Sequence, residues 1–507
     1  MTEIFRVEEA TIGDIHQAFR SGRLSCRSLV EAYLARIAAY DTAGPGINAI
    51  VTLNPAALEE ADALDRAFAG TGQFTGPLHG IPVLLKDQTE TAGITTTFGS
   101  ITADGYLPAA DATIVTRLKA AGALILAKTT MPDFATSWFS TSSLSGETKN
   151  PYDVNRDAGG SSSGTGAGVA ANFATLGVGE DTGGSIRVPS SFNNLVGVRV
   201  TPGLISRAGL SPLVSFQDTA GPMTRTVTDA ALLLDSLVGH DPKDPWTAAC
   251  SVARHQGSYA DGLSADGLKG KRIGVVREAT GSSDDPSAAA VNTVFDTALE
   301  ALRSAGAEVV DPVVIPDLAH YIEYTSLYVT HSKHDLNTFL AQRPELSHLS
   351  VQAIHQDKRF HEALDLFIAI AGGPDNPEDD PEYFRKYIAR EAFQREVVNV
   401  MAGHGLDALC FPDVQVLPPT RQELRTGKWT TLTFPTNTLI ASQTWMPAIS
   451  VPAGFTDDGV PVGLELVTPP YDEASLFRLG YALEQATLHR RLPDSTPALG
   501  REAGPRP

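Results

Sequence analysis

Residues 177–192, GVGEDTGGSIRVPSSF, place two glycines directly before a serine, Ser185, in a run almost free of bulky side chains. With no Cβ at Gly183 and Gly184, backbone N–H groups can face a substrate atom unhindered, as an oxyanion beside a nucleophilic serine requires. A glycine pair before a serine also occurs in ordinary turns, so the stretch takes its chemical meaning from its company. That company is a second serine–glycine run, GGSSSGTGAG from Gly159, and a lysine, Lys86, near the end of the apolar run GIPVLLKD from Gly80. A serine hydroxyl is a weak nucleophile until a base removes its proton, and a lysine can be that base only when neutral. Burial at the end of an apolar strand disfavours the ammonium form, which is the direction required.

Other patterns overlap the same region. GSSSG from Gly160 satisfies GxSxG and would make Ser162 the nucleophile, but that elbow must follow a hydrophobic strand, and DVNRDAGG is not one. GAGVAA from Gly166 fits a permissive dinucleotide fingerprint with the same missing strand. His361-Glu362 opens like HExxH, yet Asp365 stands where the second histidine belongs, and His331 with His334 has no obvious third ligand nearby. No metal site is expected.

The elements that must position these residues are legible in part. The first seventy residues read as a helical cover: Leu29, Val30, Leu34 and Ile37 recur at helical spacing, and PAALEEADALDRAF from Pro55 opens with proline and early acidic residues. From Gly80 a strand buried on both faces, a helix from Asp111 and the strand ALILAK from Ala123 form a βαβ unit, which predicts a parallel pair under helices. Residues 159–174 predict a glycine-rich turn entering a small-residue helix with free N–H groups at its start. Helices are expected over 226–238, over 291–302 and from Glu473, and strands at RIGVVRE, AEVVDP, LDALCFP, PAISVPAG and PVGLELVTP. Residues 239–263 read as a surface connection, residues 315–405 lean helical, and GPDNPEDDPE from Gly373 is a solvated loop.

A net charge of -20 leaves no clustered cations to neutralise phosphates, so neither nucleic acid nor an anionic membrane is an expected partner. Three scattered cysteines without a CxxC pair argue against a disulfide framework or a thiolate zinc site. MTEIFRVEEA does not read as a signal peptide, and residues 166–179 are too few and too glycine-rich to span a bilayer. A reducing cytoplasm fits these features.

The stretches GIPVLLKD, DATIVTRLKAAGALILAKTTMPDFA, NPYDVNRDAGGSSSGTGAGVA and GEDTGGSIRVPSSFNNLVGVRVTPG, with SQTWMPAISVPAGF and PVGLELV near the C-terminus, together resemble the amidase signature family. The resemblance implies an α/β/α sandwich with a central mixed β-sheet covered by helices, running as one domain over 1–507 with the signature core at 75–240 and a variable helical wall at 315–405. It implies Lys86 as general base, Ser161 as a bridging serine in an unusual cis peptide, and Ser185 as nucleophile. The N–H groups of Thr182, Gly183, Gly184 and Ser185 would form the oxyanion hole, and the acyl group would sit near Met131, Phe134, Ala135 and Trp138. Ser162 and Ser163 would support by hydrogen bonding, and Asp181 and Arg187 would brace the turn. Glu180 departs from the small residue more usual in the family, a difference expected to touch none of the three catalytic positions. The implied activity is hydrolysis of a small-molecule amide through a serine acyl-enzyme without a cofactor, with esters or carbamates as further substrates and a homodimer left open. The alternatives are a glutaminase-type subunit of a glutamine-dependent amidotransferase and a non-catalytic binding protein on the same fold.

Overall fold

The computed structural model describes residues 5–253 and 255–500, so the first four residues of the N-terminal stretch considered above lie outside it. Among the described residues, one sheet contains β1 (Ile50–Leu53), β2 (Pro82–Lys86), β3 (Leu124–Thr129), β4 (Leu176–Asp181), β5 (Val196–Arg199), β6 (Thr219–Thr224), β7 (Arg272–Val276), β8 (Glu308–Val313), β9 (Ala408–Pro412), β10 (Ala448–Phe455) and β11 (Pro461–Val467). Their spatial order is β1-β3-β2-β4-β6-β5-β10-β11-β9-β7-β8, with parallel and antiparallel pairs mixed, as the resemblance implies.

The βαβ unit forms as its spacing predicts. Every residue of β2 and β3 is buried, and the two strands run parallel around the helix Thr113–Ala120, which buries Ile114, Val115 and Leu118. Unbroken apolar runs suit strands covered on both faces. β2 also pairs in parallel with β4, Leu85 opposite Val178, so Lys86 and the chain leaving β4 toward Ser185 emerge at the same edge of the sheet. Loops at the carboxyl ends of parallel strands are where open α/β sheets hold ligands.

Helices pack against both faces of this sheet. Val227–Leu237 starts at Thr226, whose side chain accepts from the Asp229 N–H, and Pro286–Ser304 starts at Asp285 with proline in its first turn. The segment 315–405 is helical, with Leu318–Tyr324, Tyr328–Ala341, Val351–Gln356, Asp365–Gly372 and Tyr383–His404. Its apolar faces form a second core with Phe98, Phe134, Leu213 and Phe216 from loops over the sheet. The acidic loop is exposed at Asp375, which pairs with Lys333 at 2.7 Å.

Two expectations change. The first seventy residues are not helical throughout, because β1 lies between Cys26–Tyr40 and Ala57–Thr71, antiparallel to β3. Four partly exposed edge residues carry too little periodicity to be read apart from their pairing partner. The strands β4, β5 and β6 are likewise absent from the sequence reading: LGVGED and TAGPMT lack alternation, and their extended form is imposed by the strands beside them. No helix among the described residues is long and apolar enough to cross a membrane.

Candidate active site

Lys86 ends β2 fully buried. Its Nζ lies 2.8 Å from Ser161 Oγ, 3.1 Å from the Glu180 carbonyl oxygen and 3.0 Å from Glu180 Oε2. Burial pushes the Lys86 ammonium below the ordinary lysine range, against the upward pull of Glu180, Asp181 and Asp218. A second buried lysine, Lys128 on β3, is committed elsewhere: it pairs with Asp87 at 3.2 Å and donates to the Thr89 carbonyl and the Thr96 hydroxyl. Of these two lysines, Lys86 is the one that faces Ser161.

Ser161 follows a cis Gly160–Ser161 peptide bond and is fully buried. The next serine ties the two loops together, since the Ser162 N–H donates to the Ser185 carbonyl (3.1 Å) and the Ser162 hydroxyl bridges the Glu180 backbone on both sides at 3.2 Å. Ser162 is thus a clamp, whereas the Ser163 hydroxyl, expected to help, has no hydrogen-bond partner. Ser163 opens the helix Ser163–Ala170, and no hydrogen bond joins its side chain to the loop after β4. Lys86, Ser161 and the Ser185 backbone meet here, but no direct hydrogen bond joins the Ser161 and Ser185 hydroxyls among the described residues.

The glycines before Ser185 are enforced from outside. A Cβ at Gly183 would fall on the Tyr328 hydroxyl, and one at Gly184, whose φ is +124°, would fall on Thr438. Thr438 Oγ1 donates to the Gly183 carbonyl at 2.7 Å, fixing the peptide between the glycines. The Gly184 N–H is already given to Asp181 Oδ1 at 2.8 Å, so this expected oxyanion donor is engaged. Gly184→Ala is expected to cost about 10²-fold or more in kcat by displacing the neighbouring donors. Repacking against Thr438 should also lower stability by about 1–3 kcal/mol, measured by thermal melting beside steady-state rates.

Asp181 organises the turn. Besides Gly184, it accepts from the Ile186 N–H and pairs with Arg187 (3.1 Å) and Arg199 (2.9 Å), while Arg187 also binds Glu465. Burial alone would raise the Asp181 carboxyl, but the two guanidiniums outweigh it and hold it below the usual range. Its stabilising contribution is therefore present above the unfolded aspartate value of about 4 and is lost as pH falls through the depressed native value. Asp181→Ala is expected to destabilise the fold by about 3–5 kcal/mol, because two buried guanidiniums lose a shared anion; denaturant midpoints at pH 7 check this.

A cavity of about 570 Å³ is lined by Trp138, Tyr328, Leu366, Phe434 and Leu439, with Glu278 and Glu323 its charged lining residues. Tyr328 and Leu439 also crowd Gly183, so the cavity closes on the turn two residues before Ser185. Of the residues expected around the acyl group, Trp138 lines this cavity, whereas Met131, Phe134 and Ala135 do not. Phe134 stacks between Phe98 and Phe367 in the helical core, which removes it from the cavity wall.

Glu180 departs from expectation, since it binds Lys86 directly rather than standing apart from the three positions. Its Oε1 lies 3.2 Å from Thr182 Oγ1, which also reaches Asp218 Oδ1 at 2.6 Å. Of these partners, Glu180 carried a sequence signal, its departure from the family pattern; Asp218, Tyr328 and Thr438 carried none.

Comparison with known proteins agrees with this arrangement. The family described as Amidase matches residues 28–477. The chain is 34% identical to a Glutamyl-tRNA(Gln) amidotransferase subunit of Geobacter metallireducens, over 94% of this chain and 97% of that protein. It superposes on the native peptide amidase of Stenotrophomonas maltophilia with a TM-score of 0.84 at 35% identity, covering 96% of this chain and 98% of the other. An amidase family protein of Bacillus anthracis gives a TM-score of 0.82 at 31% identity, with 96% and 92% covered. A sheet of this order with a buried lysine beside two serine loops, matched across nearly its whole length, places the chain in the amidase signature family of C–N hydrolases.

Proposed function

We propose that the protein hydrolyses carboxamides through an acyl-enzyme on Ser185. The observation that carries this reading is the 2.8 Å approach of the buried Lys86 Nζ to Ser161 Oγ, with Ser185 held against the same loop by Ser162. Neutral Lys86 takes the Ser161 proton while Ser161 takes that of Ser185, through the hydroxyl–hydroxyl bond that closes on substrate. Ser185 Oγ then attacks the amide carbon, and the carbonyl electron pair moves onto oxygen. The N–H groups of Thr182, Gly183 and Ser185 face that oxyanion. Collapse breaks the C–N bond, the proton returns through Ser161 to the departing amine or ammonia, and water releases the carboxylate by the same route.

The cavity supports a neutral or cationic substrate with an apolar acyl part. None of its lining residues is lysine or arginine, so the α-carboxylate of glutamine would find no cationic partner there. This favours a free amide hydrolase over the glutaminase-type subunit. The complete Lys86, Ser161 and Ser185 set argues against a pure binding role, since stability does not require all three together.

The test is turnover of the isolated chain on alkyl, aryl and aminoacyl amides beside glutamine, with mass spectrometry for an adduct on Ser185. Turnover of simple amides with that adduct supports the reading. Ammonia release from glutamine alone, and only with a partner chain present, overturns it.

A further inference from the structure

Glu180 sits between Lys86 and a second cavity of about 330 Å³, whose wall includes Gln88, Glu180, Arg207, Ser211 and Asp218. The two cavities have no lining residue in common, and Glu180 lines only this one of the two. The groups between form a continuous chain: Asp218 Oδ1 to Thr182 Oγ1 (2.6 Å), Thr182 to Glu180 Oε1 (3.2 Å), Glu180 Oε2 to Lys86 Nζ (3.0 Å) and Lys86 to Ser161 (2.8 Å). One threonine hydroxyl donates to one carboxyl at a time, so Thr182 serves Asp218 and Glu180 in alternation. Burial and then the repulsion of Glu180 push the Asp218 carboxyl well above the usual range.

We propose that Glu180 is a positioning residue that seats Lys86 against Ser161 and exchanges the lysine's proton with water in the 330 Å³ cavity. The assignment rests on the reading of Lys86 as the base for Ser185. A proton leaving Lys86 Nζ passes to Glu180 Oε2 and on to cavity water, which regenerates the carboxylate and leaves a neutral amine facing Ser161. The other carboxyl groups near Lys86 are already engaged: Asp181 by Arg187 and Arg199, and Asp218 by Thr182 and the N–H groups of Leu213 and Val214. On the cavity wall Arg207 is paired with Asp244 and Arg343 with Glu90, Asp335 accepts from the Ser215 N–H, and Lys243 stands beside Asp244.

The test is the pH profile of kcat/KM for the unsubstituted protein and Glu180→Gln on one amide. Removing the anion that favours the ammonium should move the acidic limb down by about one pH unit or more. A residue that only props up the fold would lower the rate at every pH and leave the limb in place, and that result overturns the proposal. Should Glu180→Gln not accumulate as folded protein, Glu180→Ser is read in the same way. An unmoved limb with an acyl adduct still forming on Ser185 defeats the role of Glu180 alone; no adduct in the unsubstituted protein defeats the reading on which it rests.

Discussion

Ser185→Ala is expected to lower kcat by about 10⁴-fold or more while the melting temperature stays close to that of the unsubstituted protein. The hydroxyl it removes would supply the bond-forming oxygen, and no neighbour can replace it: Ser162 is engaged on both sides of the Glu180 backbone, and Ser161 lies against Lys86. The backbone contacts that hold residue 185, from the Ser162 N–H and through the Asp181 network, do not use the side chain. Loss of the nucleophile from a concerted set leaves only positioning and oxyanion stabilisation, which sets the size of the expected loss. Single-turnover rates with intact-mass spectrometry check it. Turnover within about tenfold of the original, or an adduct still forming on the substituted chain, would remove Ser185 from the mechanism.

Lys86→Ala is expected to lower kcat comparably, but by a route that also reaches stability. The substitution takes away the proposed base and leaves the Glu180 carboxylate, 3.0 Å from the vacated amine position, buried without its partner. An uncompensated buried charge costs about 3–5 kcal/mol, so the single variant should melt early as well as fail to turn over. Combining Lys86→Met with Glu180→Gln separates the two effects: stability should recover most of the loss while turnover stays absent. If the double variant regains turnover along with stability, Lys86 serves the fold and another group is the base. In the unsubstituted enzyme, kcat/KM should rise as pH rises through the depressed Lys86 value, because the neutral amine is the form that accepts a proton.

Much of the scaffold was legible because burial on both faces leaves a plain record. Ile81 to Leu85 and Ala123 to Ala127 are apolar without interruption, and both became buried parallel strands at the predicted spacing. The strand β4, which delivers Glu180 and the turn to Ser185, was not legible as a strand. Gly177 and Gly179 occupy positions where larger side chains would meet Thr165, Val169 and Ser162, so close packing erased the apolar pattern that marks a strand. The short edge strand β1 was hidden for a different reason, since its identity depends on a partner more than seventy residues away.

The chain's own order of residues determined which chemistry is available: a lysine that must lose its charge on burial, a serine after two glycines, and a second serine run with no strand before it. Only the folded structure decided what those groups touch. It brought Glu180 onto Lys86, committed Lys128 to Asp87, placed Tyr328 and Thr438 over the glycine pair, and stacked Phe134 against Phe98 and Phe367 in the helical core. The physical reason is range. Backbone preference and hydrophobic period act over a few residues and can be read along the chain, whereas contacts such as Thr438 to Gly183 join residues 255 positions apart and exist only once the sheet is assembled.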